Sequence, residues 1–78
     1  LIADELTSAE IYYNISHVAI GIGDLNLAYQ SLKISIGFNP DHFEAFNNLG
    51  ILEMKRGSFD QAKSNFLIST LKEEFLGT

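Results

Sequence analysis

The sequence predicts an all-α chain, an α-solenoid of antiparallel helix pairs, and three observations carry that prediction. Residue types recur at an interval of 34: Tyr12 with Phe46, Ile15 with Leu49, Ser16 with Gly50, Gly23 with Gly57. A fixed period in the range of about 20–50 residues marks stacked-repeat architectures. Apolar residues follow helical spacing in four stretches, separated by glycine, proline or capping residues. The β-branched residues never alternate over a useful length, so no strand competes.

Residues 1–8, LIADELTS, read as the end of a preceding helix. Thr7-Ser8-Ala9-Glu10 has the form of a capping box, in which Thr accepts from an exposed N–H and Glu reaches back. A helix is expected over 9–22, with Ile11, Tyr12, Ile15, Val18, Ala19 and Ile22 recurring at helical spacing. Gly23 suits the left-handed residue that ends it. Asp24 caps a second helix over 25–37, whose inner face carries Leu25, Ala28, Leu32 and Ile36. Gly37-Phe38-Asn39-Pro40 stops that helix, because proline disfavours helical geometry in the residue before it. Asp41-His42-Phe43-Glu44 is a second capping box, opening a helix over 42–56 that stops at Gly57. Ser58-x-x-Gln61 opens the fourth, over 59–75, and Gly77-Thr78 is a short tail.

Composition limits what such a chain can be. It has 78 residues, 46% of them apolar, and a single proline, which fits a packed chain and not a disordered one. It has no Cys, so neither disulfides nor a Cys-based metal site are available; lack of Cys also fits a reducing compartment. It opens on Leu1, not Met, and reads as a piece of a longer protein, with no leader to be judged. No run approaches the roughly 18 apolar residues of a membrane span. The formal charge of −5 is uneven: residues 1–42 hold Asp4, Glu5, Glu10, Asp24 and Asp41 against Lys33 alone. Such an acidic, arginine-poor chain is a poor phosphate binder, so neither nucleic acid nor an anionic membrane is an expected direct partner.

Signals of catalysis and cofactor binding fail on context. Gly21-Ile22-Gly23-Asp24-Leu25-Asn26 imitates a dinucleotide loop, but Asn26 holds the third glycine's place and a helix precedes it. His17 and His42 lie too far apart for a local ligand pair, and no Cys or H-E-x-x-H accompanies them. His42 is expected as an exposed turn residue, and His17 one turn beyond Tyr13 on a shared face. Asp41 and Glu44 are better explained as caps than as paired acids, and no Ser stands with a positioned His and acid. Asn14-Ile15-Ser16 matches a glycosylation sequon by chance, since Ile15 and Ser16 occupy packing positions. No catalytic residue, metal site or cofactor is expected.

The two periods resemble the tetratricopeptide repeat, W-x₂-L-G-x₂-Y, then A-x₃-F, then P, in about 34 residues of helix–turn–helix. The first, 9–42, carries Tyr12, Ile15, Ser16, Ala19, Ala28, Leu32 and Pro40; the second, 43–76, carries Phe46, Leu49, Gly50, Glu53, Ala62 and Phe66. Ser16, Gly50, Ala28 and Ala62 are small enough for paired helices to approach closely. Three positions depart: Ala19 and Glu53 stand where a bulky aromatic belongs, and Glu74 where proline belongs. A glutamate facing inward implies either a neighbour that pairs with it or local exposure. The resemblance implies one fragment of a longer superhelix, because about three or more repeats are needed for stability.

The wording HVAIGIGDLNLAYQSLK (17–33) and EAFNNLGILEMKRG (44–57) further resembles the tetratricopeptide subunits of the BBSome, a coat-like ciliary complex. That resemblance implies a non-enzymatic scaffold or adaptor among other protein subunits, in ciliary membrane-protein trafficking and cilium assembly. It places the chain in the cytoplasm and at the cilium or basal body. A generic peptide-binding module in another assembly is the alternative.

In such arrays the first helix of each pair lines the concave face. The residues implied there are Glu10, Tyr13, Asn14, His17 and Ile20 in the first repeat, and Glu44, Asn47, Asn48, Ile51 and Lys55 in the second. Asn14 and Asn48 share one register position, where an amide can donate to and accept from a peptide backbone at once. Some relatives clamp acidic chaperone tails with cations on this face. Here those places hold Glu10, Tyr13, Glu44 and Asn47, which would repel such a tail.

Overall fold

The computed structural model describes residues 3–76 and consists of four helices. These are α1 (Ala3–Ile22), α2 (Leu25–Phe38), α3 (Phe43–Arg56) and α4 (Phe59–Leu76). The first departure from expectation lies in α1. It runs unbroken through Thr7 and Ser8, so the Thr7–Glu10 capping box does not open it. Residues 3–8 are its first turns, and not the end of a separate helix. Neither Gly nor Pro interrupts this stretch, and Thr or Ser inside a helix costs less than about 0.7 kcal/mol each. Leu1, Ile2 and the Gly77-Thr78 tail lie outside the described residues.

The two pairs are closed by the same turn. Gly23 and Gly57 adopt φ of 82° and 79°, a left-handed conformation that glycine reaches without a Cβ penalty. Asp24 N–H donates to the Ala19 carbonyl at 2.9 Å, and Ser58 N–H to the Glu53 carbonyl at 2.9 Å. Both are the long closing bond of a Schellman motif. Asp24 then caps α2 by accepting from Leu27 N–H at 3.1 Å.

Helices within each pair are tied by a bond that the repeat template does not mention. Ser35 Oγ donates to the Ala9 carbonyl at 2.8 Å, and Ser69 Oγ to the Phe43 carbonyl at 2.7 Å. Donors and acceptors are each 34 residues from their counterparts. A serine near the end of the second helix therefore reaches across to the start of the first, twice in register.

The core sits where α1, α2 and α3 meet. It consists of Ala19, Ala28, Leu32, Ala45, Leu49 and Leu52, bordered by Tyr13, Ile20, Leu25, Tyr29, Ile36 and Phe46. Three of its six members are alanine, so it gains contact through short helix separation more than through bulk. Gly50 is tightly crowded: a Cβ there would lie 2.6 Å from the Phe66 ring. The Phe66 ring thus fills the space that the missing side chain leaves.

The α1 stripe differs from an inner face. Ile11, Ile15, Val18 and Ile22 share one side of α1 at helical spacing, yet they are 52%, 37%, 62% and 72% exposed. Ile15 is therefore not at a packing position, although Ser16 is fully buried.

Gly50→Ala should lower unfolding free energy by up to roughly 2 kcal/mol, because overpacking costs about 1–3 and helix propensity returns about 1. Gly21→Ala, with nothing near its Cβ position, should be neutral or raise it by up to about 1 kcal/mol. Denaturant unfolding of the intact protein measures both; equal effects would mean the Phe66 ring does not press on Gly50.

Candidate protein-binding face

α1 and α3 touch each other across the two pairs, whereas α2 and α4 do not meet. Between the pairs α3 packs mainly on α2 and less extensively on α1, while α4 lies against α3 alone. The face that α1 and α3 line carries the expected partner-binding residues in unequal states. Glu10, Asn14, His17, Glu44, Asn47 and Lys55 are exposed; Tyr13, Ile20 and Ile51 are half-buried; Asn48 is buried.

His42 corrects two expectations. It is buried, not an exposed turn residue, and it caps α3 in place of Asp41. Its Nδ1 accepts from Ala45 N–H at 3.3 Å, which leaves the proton on Nε2, and that N–H donates to Glu10 Oε1 at 3.0 Å. The Tyr13 ring packs on the imidazole with centroids 4.9 Å apart. Asp41 is instead turned outward to Lys72 Nζ at 3.0 Å, while its own N–H donates to Asn39 Oδ1. The reason is tertiary: Glu10 and Tyr13 of α1 supply a partner and a ring for imidazole that solvent would not. This cluster fastens the start of α3 to α1.

Part of the expected set converges. Tyr13, Glu44 and Asn47 line a cleft of about 300 Å³ together with Phe43, Ser69, Thr70 and Glu73. A smaller neighbouring hollow joins Glu10 to Glu44 beside His42. Asn14, His17, Ile51 and Lys55 line neither. The contribution of α4 through Ser69, Thr70 and Glu73 was not legible as a site signal. The cleft is acidic and hydroxyl-lined, with Glu44 and Glu73 on its rim.

Two residues in register differ in state. Asn14 is exposed, whereas Asn48 is 6% exposed and its Nδ2 has no hydrogen-bond partner among the described residues. Tyr13 holds its phenolic proton more tightly than the ordinary value of 10.0. Burial is the main cause, the negative charge of Glu44 adds to it, and the Asn48 side chain pulls the other way.

Glu53 is buried, and the partner it requires lies on its own helix. Arg56 Nη1 stands 3.4 Å from Glu53 Oε1, and the guanidinium lies 4.5 Å from the centroid of the Tyr29 ring on α2. No group of His, Asp or Glu suited to a metal occurs among the described residues. Among the described residues no helix is long and apolar enough to cross a membrane.

An all-α chain of two antiparallel helix pairs, closed by matching glycine turns and faced by the first helix of each pair, has the architecture of a tetratricopeptide-repeat segment. The chain is homologous to Tetratricopeptide repeat protein 8. It is 45% identical to the human protein over 64 residues, which is 82% of this chain and 12% of that protein. The mouse protein is 44% identical over 64 residues, again 82% of this chain and 12% of the relative. The Caenorhabditis elegans protein is 42% identical over 57 residues, 73% of this chain and 11% of the relative. This chain therefore spans a small part of these relatives. No family model matches the chain, and no solved structure matches it.

Two outcomes test the cluster at the start of α3. His42→Ala should destabilise the intact protein by about 1–2 kcal/mol, the usual value of a lost cap, and His42→Asn should recover part of it. Thermal melts compare them. Because the folded pKa of Tyr13 is raised, its contribution is complete below pH 10 and is lost as pH rises through the higher folded value. Unfolding free energy of the parent should therefore fall more steeply above pH 10 than that of Tyr13→Phe.

Proposed function

We propose that this chain is a non-enzymatic scaffold or adaptor segment, divided into repeats at 9–42 and 43–76, that holds other proteins within a larger helical array. The homology supports a protein-interaction module of tetratricopeptide type. The observation that carries the reading is the bare stripe on α1. Counted in the 34-residue register, Ile11, Ile15 and Val18 correspond to Ala45, Leu49 and Leu52, which α2 and its neighbours bury to 0%, 5% and 0% exposure. The same face of a first helix is thus covered in one repeat and uncovered in the other. At the far end Leu67, Leu71 and Phe75 of α4 are 59%, 44% and 78% exposed. Faces of this kind mark contacts with further protein. Solenoid stacking is the arrangement that buries them.

The resemblance of residues 17–33 and 44–57 to the tetratricopeptide subunits of the BBSome suggests the larger setting. In that reading the parent protein serves ciliary membrane-protein trafficking and cilium assembly, in the cytoplasm and at the cilium or basal body. It makes its contacts with other protein subunits, not with nucleic acid or by inserting into a membrane. The intact parent should co-purify with the other subunits of such a coat through a high-salt wash. Its recovery as a lone monomer overturns the reading.

One observation favours a second reading, a groove for an extended peptide on the α1–α3 face. Asn48 Nδ2 stands beside the Tyr13 hydroxyl without a well-formed hydrogen bond, and a peptide carbonyl reached by a small side-chain rotation would satisfy it. Asn48→Ala should then weaken peptide binding with helicity unchanged by circular dichroism, and an unaltered affinity removes this reading.

A further inference from the structure

Four residues whose register counterparts differ in chemical type share one groove, away from the α1–α3 face. In the 34-residue register Tyr29 stands against Lys63, Lys33 against Leu67, Glu53 against Ala19, and Arg56 against Ile22. None of these four is required by the repeat template, yet all four line one groove. The groove runs between α2 and α4 across α3, holds about 400 Å³, and is continued by Gln61 and Asn65 of α4. On α3 it uses Leu49, Glu53 and Arg56. At 100° per residue these lie on the opposite side of that helix from Glu44, Asn47 and Ile51. It is open because α2 and α4 do not meet.

Its chemistry is directional. Lys33 Nζ lies 5.3 Å and the Arg56 guanidinium 4.5 Å from the centroid of the same Tyr29 ring. Two of the chain's five basic residues thus converge on one aromatic ring. Buried Glu53 holds Arg56 through a single long contact of 3.4 Å, which leaves most of the guanidinium donors unspent. Lys33 has no carboxylate within salt-bridge distance among the described residues. Asp60 lies on the α4 wall and repels an acid from that side, so an incoming carboxylate is steered to the α2 side. Gln61 and Asn65 offer both donors and acceptors, which suits a main chain that presents both.

We propose that this groove docks an extended segment of a partner protein, seating one acidic side chain against Lys33 and Arg56 while Gln61 and Asn65 bond to the segment's backbone. The partner's carboxylate accepts charge-assisted hydrogen bonds there, and the tyrosine ring supports the stems of both cations. This site is independent of the reading of the α1–α3 face, and the two can fail separately.

The test uses the intact protein and two fluorescein-labelled, end-blocked Gly/Ser peptides, one with a central Asp-Glu and one with a central Lys-Lys. Fluorescence anisotropy at low salt should show binding of the acidic peptide and not of the basic one. Lys33→Glu should weaken the acidic peptide by about tenfold or more, the loss expected for one charge-assisted bond replaced by repulsion. Lys33→Arg should hold affinity within about twofold, since the cation is kept. Lys63→Glu, the same charge change at an exposed position outside the groove, should leave it within about twofold. Lys33 is exposed, so circular dichroism of its variants should match the parent. Equal binding of both peptides, indifference to Lys33→Glu, or an equal loss on Lys63→Glu would overturn the proposal. So would concentration-dependent self-association that Lys33→Glu abolishes, because the groove would then be filled by a second copy.

Discussion

Everything else in this fold depends on how closely two helices can approach. A chain this short cannot draw stability from a wide core, since its surface-to-volume ratio is high. It gains contact instead by placing Ala19, Ala28, Ala45 and Gly50 where larger residues would hold the helices apart. Phe66 against Gly50 is the limiting case: the ring is seated where a β-carbon would be. Short separation then allows the serine bonds, because a side chain with one rotatable hydroxyl reaches a carbonyl on the facing helix only when backbones are near. Ser35 to Ala9 and Ser69 to Phe43 are consequences of the small residues as much as additions to them.

Much of this was legible in the sequence where the rule is local. A left-handed turn needs glycine whatever surrounds it, so Gly23 and Gly57 identified both turns and their shared geometry. Helix existence was equally local, and the ends of α2, α3 and α4 fell within a residue of expectation. What failed was local reasoning about residues with tertiary partners. Thr7 has the form of a cap, but capping is an option that a helix-compatible stretch need not take. Asp41 is the better capping residue in isolation, yet His42 caps α3 because Glu10, 32 residues earlier, accepts from its far nitrogen.

The candidate face shows the same division. Periodicity tells which residues share a side of a helix and says nothing of what covers that side. Ile11, Ile15, Val18 and Ile22 read as one stripe correctly, and their exposure could not follow from spacing. Asn14 and Asn48 share a register position but not an environment, because Asn48 lies close to Tyr13 of the neighbouring pair and is buried. Equivalence in a repeat is equivalence of backbone; among the described residues α3 is flanked by the first pair, and α1 has no such pair packed on its stripe.

Glu53 sharpens that distinction. A carboxylate at 7% exposure is costly unless paired, and the repeat template would put an apolar residue there. Its partner Arg56 occupies the position of Ile22, so both members of the pair are departures from the first repeat. Two departures that compensate each other form a unit, and a unit that only restored packing could have been replaced by two apolar residues at little or no loss. What the ion pair adds is a guanidinium drawn to the groove side of α3, over the Tyr29 ring that Lys33 also approaches. An apolar pair could not orient a donor set in that way. The misfit in the repeat is therefore better understood as a means of presenting charge on the outer side of the array than as a defect of its core.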